Sequence, residues 1–171
     1  MSCRNVIGTG LLTIGLLGVL FSQSNGKPAP QPKFNELSQD DQARLEQQRV
    51  VIATAAKKHG GGILTRKTAD LPLLQKLIDD GVFKKSQTYE LQCLGVAFGD
   101  VLASDLPLRW VMVTDEFGTD PTLRFKETTI QVNVLTMISK RFERDEKIDL
   151  SRLLLITREQ LSQFEGKLGR R

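Results

Sequence analysis

The sequence predicts an α+β domain, a small three-stranded antiparallel meander packed against several helices and preceded by an N-terminal signal or anchor helix. Three observations carry this. Apolar residues recur at helical spacing from Leu45 to Leu102. The period shortens to two between Arg109 and Val134. Helical spacing then returns between Leu135 and Phe164.

The chain opens with an address. Met1-Ser-Cys-Arg-Asn5 precedes sixteen uncharged residues, Val6–Phe21, followed by Ser22-Gln-Ser24. A short cationic stretch, an apolar run and small polar residues make a secretory signal. The run is shorter than the about 20 residues a membrane-spanning helix needs, which favours removal after Ser24. Phe21 is bulky and Arg4 is the only basic side chain ahead of the run. Retention as an inner-membrane anchor, with residues 6–21 in contact with the bilayer, therefore stays open. Cys3 precedes the apolar run, where a lipidated cysteine would follow it. Residues 25–35 carry three prolines and little apolar surface, and read as a linker. Residues 36–167 then form a single α+β domain.

Within the domain, a first helix is predicted over Ser38–His59. Ser38-Gln-Asp-Asp41 supplies a capping box, Leu45, Ile52 and Ala56 a thin apolar stripe, and Gly60-Gly-Gly62 the stop. A second helix spans Ala69–Asp80 with Pro72 in its first turn, buries Leu74, Leu77 and Ile78, and ends at Gly81. A third covers Thr88–Ser104 with Leu91, Leu94, Phe98 and Leu102 on one face. Gly95 and Gly99 lie on or beside that face; a glycine pair inside a helix implies that another element packs very close. Strands follow at Arg109–Thr114, Thr122–Lys126 and Thr128–Val134, the first two joined by a turn over Asp115–Pro121. A fourth helix over Leu135–Arg144, capped by Asn133, presents Leu135, Ile138 and Phe142. A last helix, capped by Asp149, presents Leu150, Leu153, Leu154, Leu161 and Phe164.

Composition narrows the function classes. The formal charge is +4, with acids and bases interspersed, so no concentrated basic face points to nucleic acid. Cys93 would be the one cysteine left in an exported chain, which excludes an internal disulfide framework; it reads as a small buried hydrophobe. The single histidine, His59, has no second imidazole to complete a zinc set, and no cofactor or metal motif is present.

Leu94-Gly-Val-Ala-Phe-Gly-Asp-Val-Leu102, Trp110-Val-Met-Val-Thr-Asp-Glu-Phe-Gly-Thr-Asp-Pro121 and Leu135-Thr-Met-Ile-Ser-Lys-Arg141, in that order, resemble the bacterial family called domain of unknown function 3806. The resemblance covers about residues 89–164. It implies a bacterial protein without an assigned activity and brings no catalytic or ligand residues with it.

Five residues stand out as candidate ligand contacts: Asp100, Trp110, Asp115, Asp120 and Arg124. Asp100 sits in apolar company and needs a charge partner, for which Arg109, Arg124, Lys140 and Arg141 are the candidates. Its structural role would be an internal ion pair fixing helix against sheet; its functional role, one wall of a polar pocket with Trp110 and Arg124. Asp115 and Asp120 crowd a turn whose spacing does not match an EF-hand loop. No catalytic residue is assigned. The resulting expectation is an exported protein, periplasmic or secreted, acting as a non-enzymatic binding or interaction module whose partner is another envelope protein or envelope component. The alternative is a carboxylate-dependent periplasmic hydrolase built on Asp100, Asp115 and Asp120.

Overall fold

The computed structural model describes residues 31–116 and 118–168. The apolar run Val6–Phe21 and the cleavage position after Ser24 lie outside the described residues, among which no helix is long and apolar enough to cross a membrane.

Helix α1 (Gln39–Ala55) starts at the expected capping box. The Ser38 hydroxyl accepts the Asp41 N–H at 3.1 Å, and the Asp41 carboxylate accepts the Ser38 N–H at 3.1 Å. Leu45, Ile52 and Ala56 are buried, as their spacing predicts. The α-helix does not reach His59: Ala56–Gly60 widens into a π-turn, and Gly61 at φ 67° ends it. Gly60 and Gly62 are seated on Leu73, and a Cβ on Gly62 would fall 2.7 Å from its Cδ2. The triple glycine thus serves close packing as well as termination.

A 3-10 turn at Thr68–Asp70 leads into α2 (Leu71–Asp79), which buries Leu74 and Leu77 and leaves Ile78 half-buried. Helix α3 (Thr88–Asp105) is buried well beyond its predicted face. Its predicted stripe Leu91, Leu94, Phe98 and Leu102 is fully buried, but burial is continuous from Cys93 to Leu102. It is the central helix, contacted by α1, by α2, by α4 (Val134–Glu143) and by the sheet.

Among the described residues the sheet has four strands, not three, in the order β1 (Lys33–Asn35), β2 (Leu108–Asp115), β3 (Gly118–Phe125), β4 (Gln131–Val132), all antiparallel. β1 falls in the segment read as linker; three residues are too few to show a period. The expected turn over Asp115–Pro121 is a tight hairpin, with Asp115 paired to Gly118, so Thr119, Asp120 and Pro121 belong to β3. Pro121 stands beyond the last β4 pairing, at Leu123, where the outer edge of β3 asks for no N–H. The third predicted strand contracts to β4. Its first residues form a turn in which the Thr128 hydroxyl donates to the Phe125 carbonyl at 2.6 Å and accepts the Ile130 N–H at 3.1 Å.

α4 buries Val134, Met137 and Ile138, with Leu135 and Phe142 half-buried, so its inner face is rotated from the predicted one. Asn133 occupies the N-cap position without capping, because its Oδ1 accepts the Thr122 hydroxyl at 2.9 Å. Asp149 does cap α5 (Leu150–Leu168), accepting the Arg152 N–H at 2.9 Å, and Leu150, Leu153, Leu154 and Leu161 are buried.

The close approach implied by Gly95 and Gly99 is present. A Cβ on Gly95 would meet the backbone of α4, 3.0 Å from the Leu135 carbonyl oxygen and 3.1 Å from its Cα, and would lie closer still to the Val134 carbonyl oxygen. Backbone cannot step aside as a flexible side chain can. Gly95→Ala is therefore expected to destabilise the fold by about 2 kcal/mol or more, against a gain of about 1 kcal/mol from helix propensity alone. Urea unfolding of the two proteins measures the difference, and an equal or higher midpoint for the variant contradicts the packing argument.

Candidate functional site

The β2–β3 register runs without interruption from Leu108↔Phe125 to Asp115↔Gly118. Side chains alternate across such a ladder. Leu108, Trp110, Leu123 and Phe125 therefore face the helices, while Arg109, Val111, Val113 and Asp115 share the opposite face with Asp120, Thr122 and Arg124. Phe34, paired with Val113, joins that outer face. The five candidate residues are split: Asp100 and Trp110 lie on the helix side, Asp115, Asp120 and Arg124 on the other. The pocket joining Asp100, Trp110 and Arg124 does not form.

Asp100 is 7% exposed and fully engaged. Arg49 donates to it as a fork, Nε to Oδ2 at 2.7 Å and Nη2 to Oδ1 at 2.8 Å. The Trp110 indole N–H donates to Oδ1 at 2.9 Å. None of the four expected partners holds this carboxylate. Arg109 and Arg124 are on the far face of the sheet, Arg141 donates to the Met137 carbonyl at 2.6 Å, and Lys140 is exposed. The charge comes from α1, 51 residues away in sequence, and the ion pair joins helix to helix while the indole bond joins helix to strand. Donating to the Asp100 carboxylate makes the Arg49 guanidinium hold its proton more tightly than usual, raising its pKa against the opposing effect of burial.

A sequence signal for Arg49 exists. It lies four residues after Leu45 and three before Ile52, so it stands on the apolar stripe of α1. Gly99 completes the arrangement. A Cβ there would lie 2.6 Å from the Trp110 ring carbon Cζ2 and 2.9 Å from Val134 Cγ2, so its absence lets the indole reach the next residue's carboxylate.

Arg124, on β3, braces the turn that follows the strand. Its Nε donates to the Thr128 carbonyl at 2.7 Å, its Nη1 to Glu127 at 3.0 Å, and its guanidinium carbon lies 4.6 Å from the centre of the Phe34 ring. Phe34 is on β1 and Arg124 on β3, so the ring reaches across β2, over the face on which Val111 and Val113 are buried. Arg109, bonded to Glu36 and to Glu127 at 3.0 Å, completes this outer cover. Asp120 is exposed, and Asp115 stands at the hairpin end of the same face. Among the described residues no group of three or more His, Cys, Asp and Glu is arranged to hold a metal.

Sequence reasoning passed over Asp70. It is buried and accepts the Thr65 N–H at 2.9 Å, the Thr65 hydroxyl at 2.8 Å and the Arg66 N–H at 2.6 Å, clamping the loop before α2. The only signal was an acid two residues before a proline. A shallow cleft of about 350 Å³ lies between the ends of α2 and α4, floored by Ile78, Phe142 and Ile148 and lined by Asp79, Asp145 and Glu146. Lys85 neutralises Asp145 at 2.8 Å, and none of the five candidates reaches this cleft.

Two tests follow from these contacts. Asp100→Asn takes the forked counter-ion from half-buried Arg49, leaving it only Glu46 at 3.4 Å, and is expected to cost about 2 kcal/mol, whereas Arg49→Met combined with Asp100→Leu should cost clearly less than the sum of the single changes. Additive losses in denaturant unfolding would show that the two side chains are not coupled. Cys93 is fully buried, and burial pushes its thiol from the ordinary value near 9 up to about 11. The folded chain then keeps a proton that the unfolded chain releases. Its contribution to stability is full below pH 9 and is lost as pH rises towards 11. Native Cys93 should resist iodoacetamide at pH 8 and react only on unfolding, as peptide mass analysis would show; rapid native labelling contradicts this environment.

Residues 70–153 match the model of a family described as domain of unknown function (DUF3806). A crystal structure of a protein from Bacteroides thetaiotaomicron VPI-5482, solved at 1.50 Å resolution, is similar in fold, with a TM-score of 0.70 at 10% identity over 78% of this chain and 49% of that one. The chain thus spans about half the length of that protein, and the likeness concerns the fold alone. Among curated proteins none matches. The matched segment contains Asp100, Trp110, Gly95 and Gly99 but not α1 with Arg49. From the turn before α2 to the first residues of α5, this chain resembles the domain of unknown function DUF3806.

Proposed function

We propose that the protein is an exported, non-enzymatic binding module of the bacterial cell envelope, periplasmic or secreted, or held at the inner membrane by residues 6–21. Its partner is another envelope protein or envelope component. The observation that supports the non-enzymatic reading is the state of Asp100. Its two oxygens receive three donors from Arg49 and Trp110, so it serves to hold the fold rather than to move protons. The hydrolase reading required Asp100 to act with Asp115 and Asp120, and these lie on opposite sides of the sheet. Support for export comes from the first 24 residues.

Cell fractionation with mass analysis of the N-terminus tests this directly. The expected result is the chain in the periplasmic or membrane fraction, either trimmed after Ser24 or intact and membrane-bound. The full-length chain in the cytosol with Met1 present would overturn the reading.

A further inference from the structure

We propose that the π-turn and glycine loop ending α1 form a docking site for the surface of an anionic phospholipid bilayer; this names the envelope component of the reading above and rests on it. Lys57, Lys58 and His59 follow one another in the turn and are all exposed, and Lys67, at the far end of the same loop, is exposed too. None of the three lysines forms an ion pair among the described residues, and Glu46 is already taken by Arg66 at 2.7 Å and Arg49 at 3.4 Å. Lys57, Lys58, Arg66 and Lys67 outnumber Glu46 and Asp70 at this corner, which keeps a net positive charge.

Ile63 sits inside this cationic loop and is 86% exposed, the most exposed large apolar side chain described. The loop cannot fold it inward, because it is held at both ends. Gly60 and Gly62 are packed on Leu73, and Asp70 grips the Thr65 and Arg66 amides. A fixed corner that projects one isoleucine among lysines matches the needs of a bilayer interface. The apolar side chain enters the headgroup boundary while the ammonium groups meet lipid phosphates. A protein interface fits less well, since it calls for about 800 Å² of complementary surface per partner and the residues just before Ile63 are glycines.

Hydrogen exchange of the full chain, with and without vesicles, tests this locally and so separates the loop from any insertion of residues 6–21. Phosphatidylglycerol vesicles at low salt should slow the amides of residues 60–66, and phosphatidylcholine vesicles should not. Titrating that slowing against lipid gives an apparent affinity. Lys57→Glu with Lys58→Glu should lower it at least about tenfold, as should Ile63→Ser, with exchange in α3 unchanged to show that both variants are folded. Unchanged loop amides on phosphatidylglycerol, equal slowing on phosphatidylcholine, or indifference to both variants would each overturn the proposal. A cytosolic full-length chain would remove the envelope reading whatever the vesicles show, while an unresponsive loop in a chain found in the envelope would remove only the docking site.

Discussion

Asp100 carries a carboxylate on a helix that has almost no solvent-facing side, and the rest of the domain is arranged around that constraint. A charge in such a place needs a counter-charge and enough donors to replace water. α3 itself supplies no cation, so both requirements are met from other elements, the guanidinium fork from α1 and the indole N–H from β2. Fork geometry is demanding. It fixes how far α1 has slid along α3, because a shift of one residue would carry Arg49 round to another face of its helix.

The glycines of α3 follow from the same arrangement. Gly99 precedes Asp100, and the space above it holds the Trp110 ring that donates to Asp100. One turn earlier, Gly95 admits the backbone of α4. The propensity lost at two glycines inside a helix is offset by approaches that no other residue would permit. A central helix, a charge clamp on one side and a backbone contact on another together hold α1, α3, α4 and the sheet in one relation.

Among the described residues, side chains rather than a helix cover the outer face of the sheet. Phe34 reaches over β2 to Arg124, and Arg109 joins Glu36 to Glu127. This cover ties the three residues of β1 into a fold to which their few backbone pairs would attach them only loosely.

By itself the sequence determined whatever depends on near neighbours. The Ser38–Asp41 box, the Asp149 cap, the glycine stops and the stripes of α1 and α3 arise within a few residues, so local physical chemistry suffices to read them. The anomaly of Asp100 and the tight packing at Gly95 and Gly99 were legible for the same reason, since each is an unfavourable residue in its own local setting. Only the tertiary structure decided which cation answers Asp100, that Trp110 and Arg124 face opposite ways, that Lys33–Asn35 is a strand, and that the strand predicted over Thr128–Val134 shrinks to Gln131–Val132. Pairing across 51 residues leaves no periodicity behind, and a strand of two or three residues exists only because a neighbour's ladder is there to receive it.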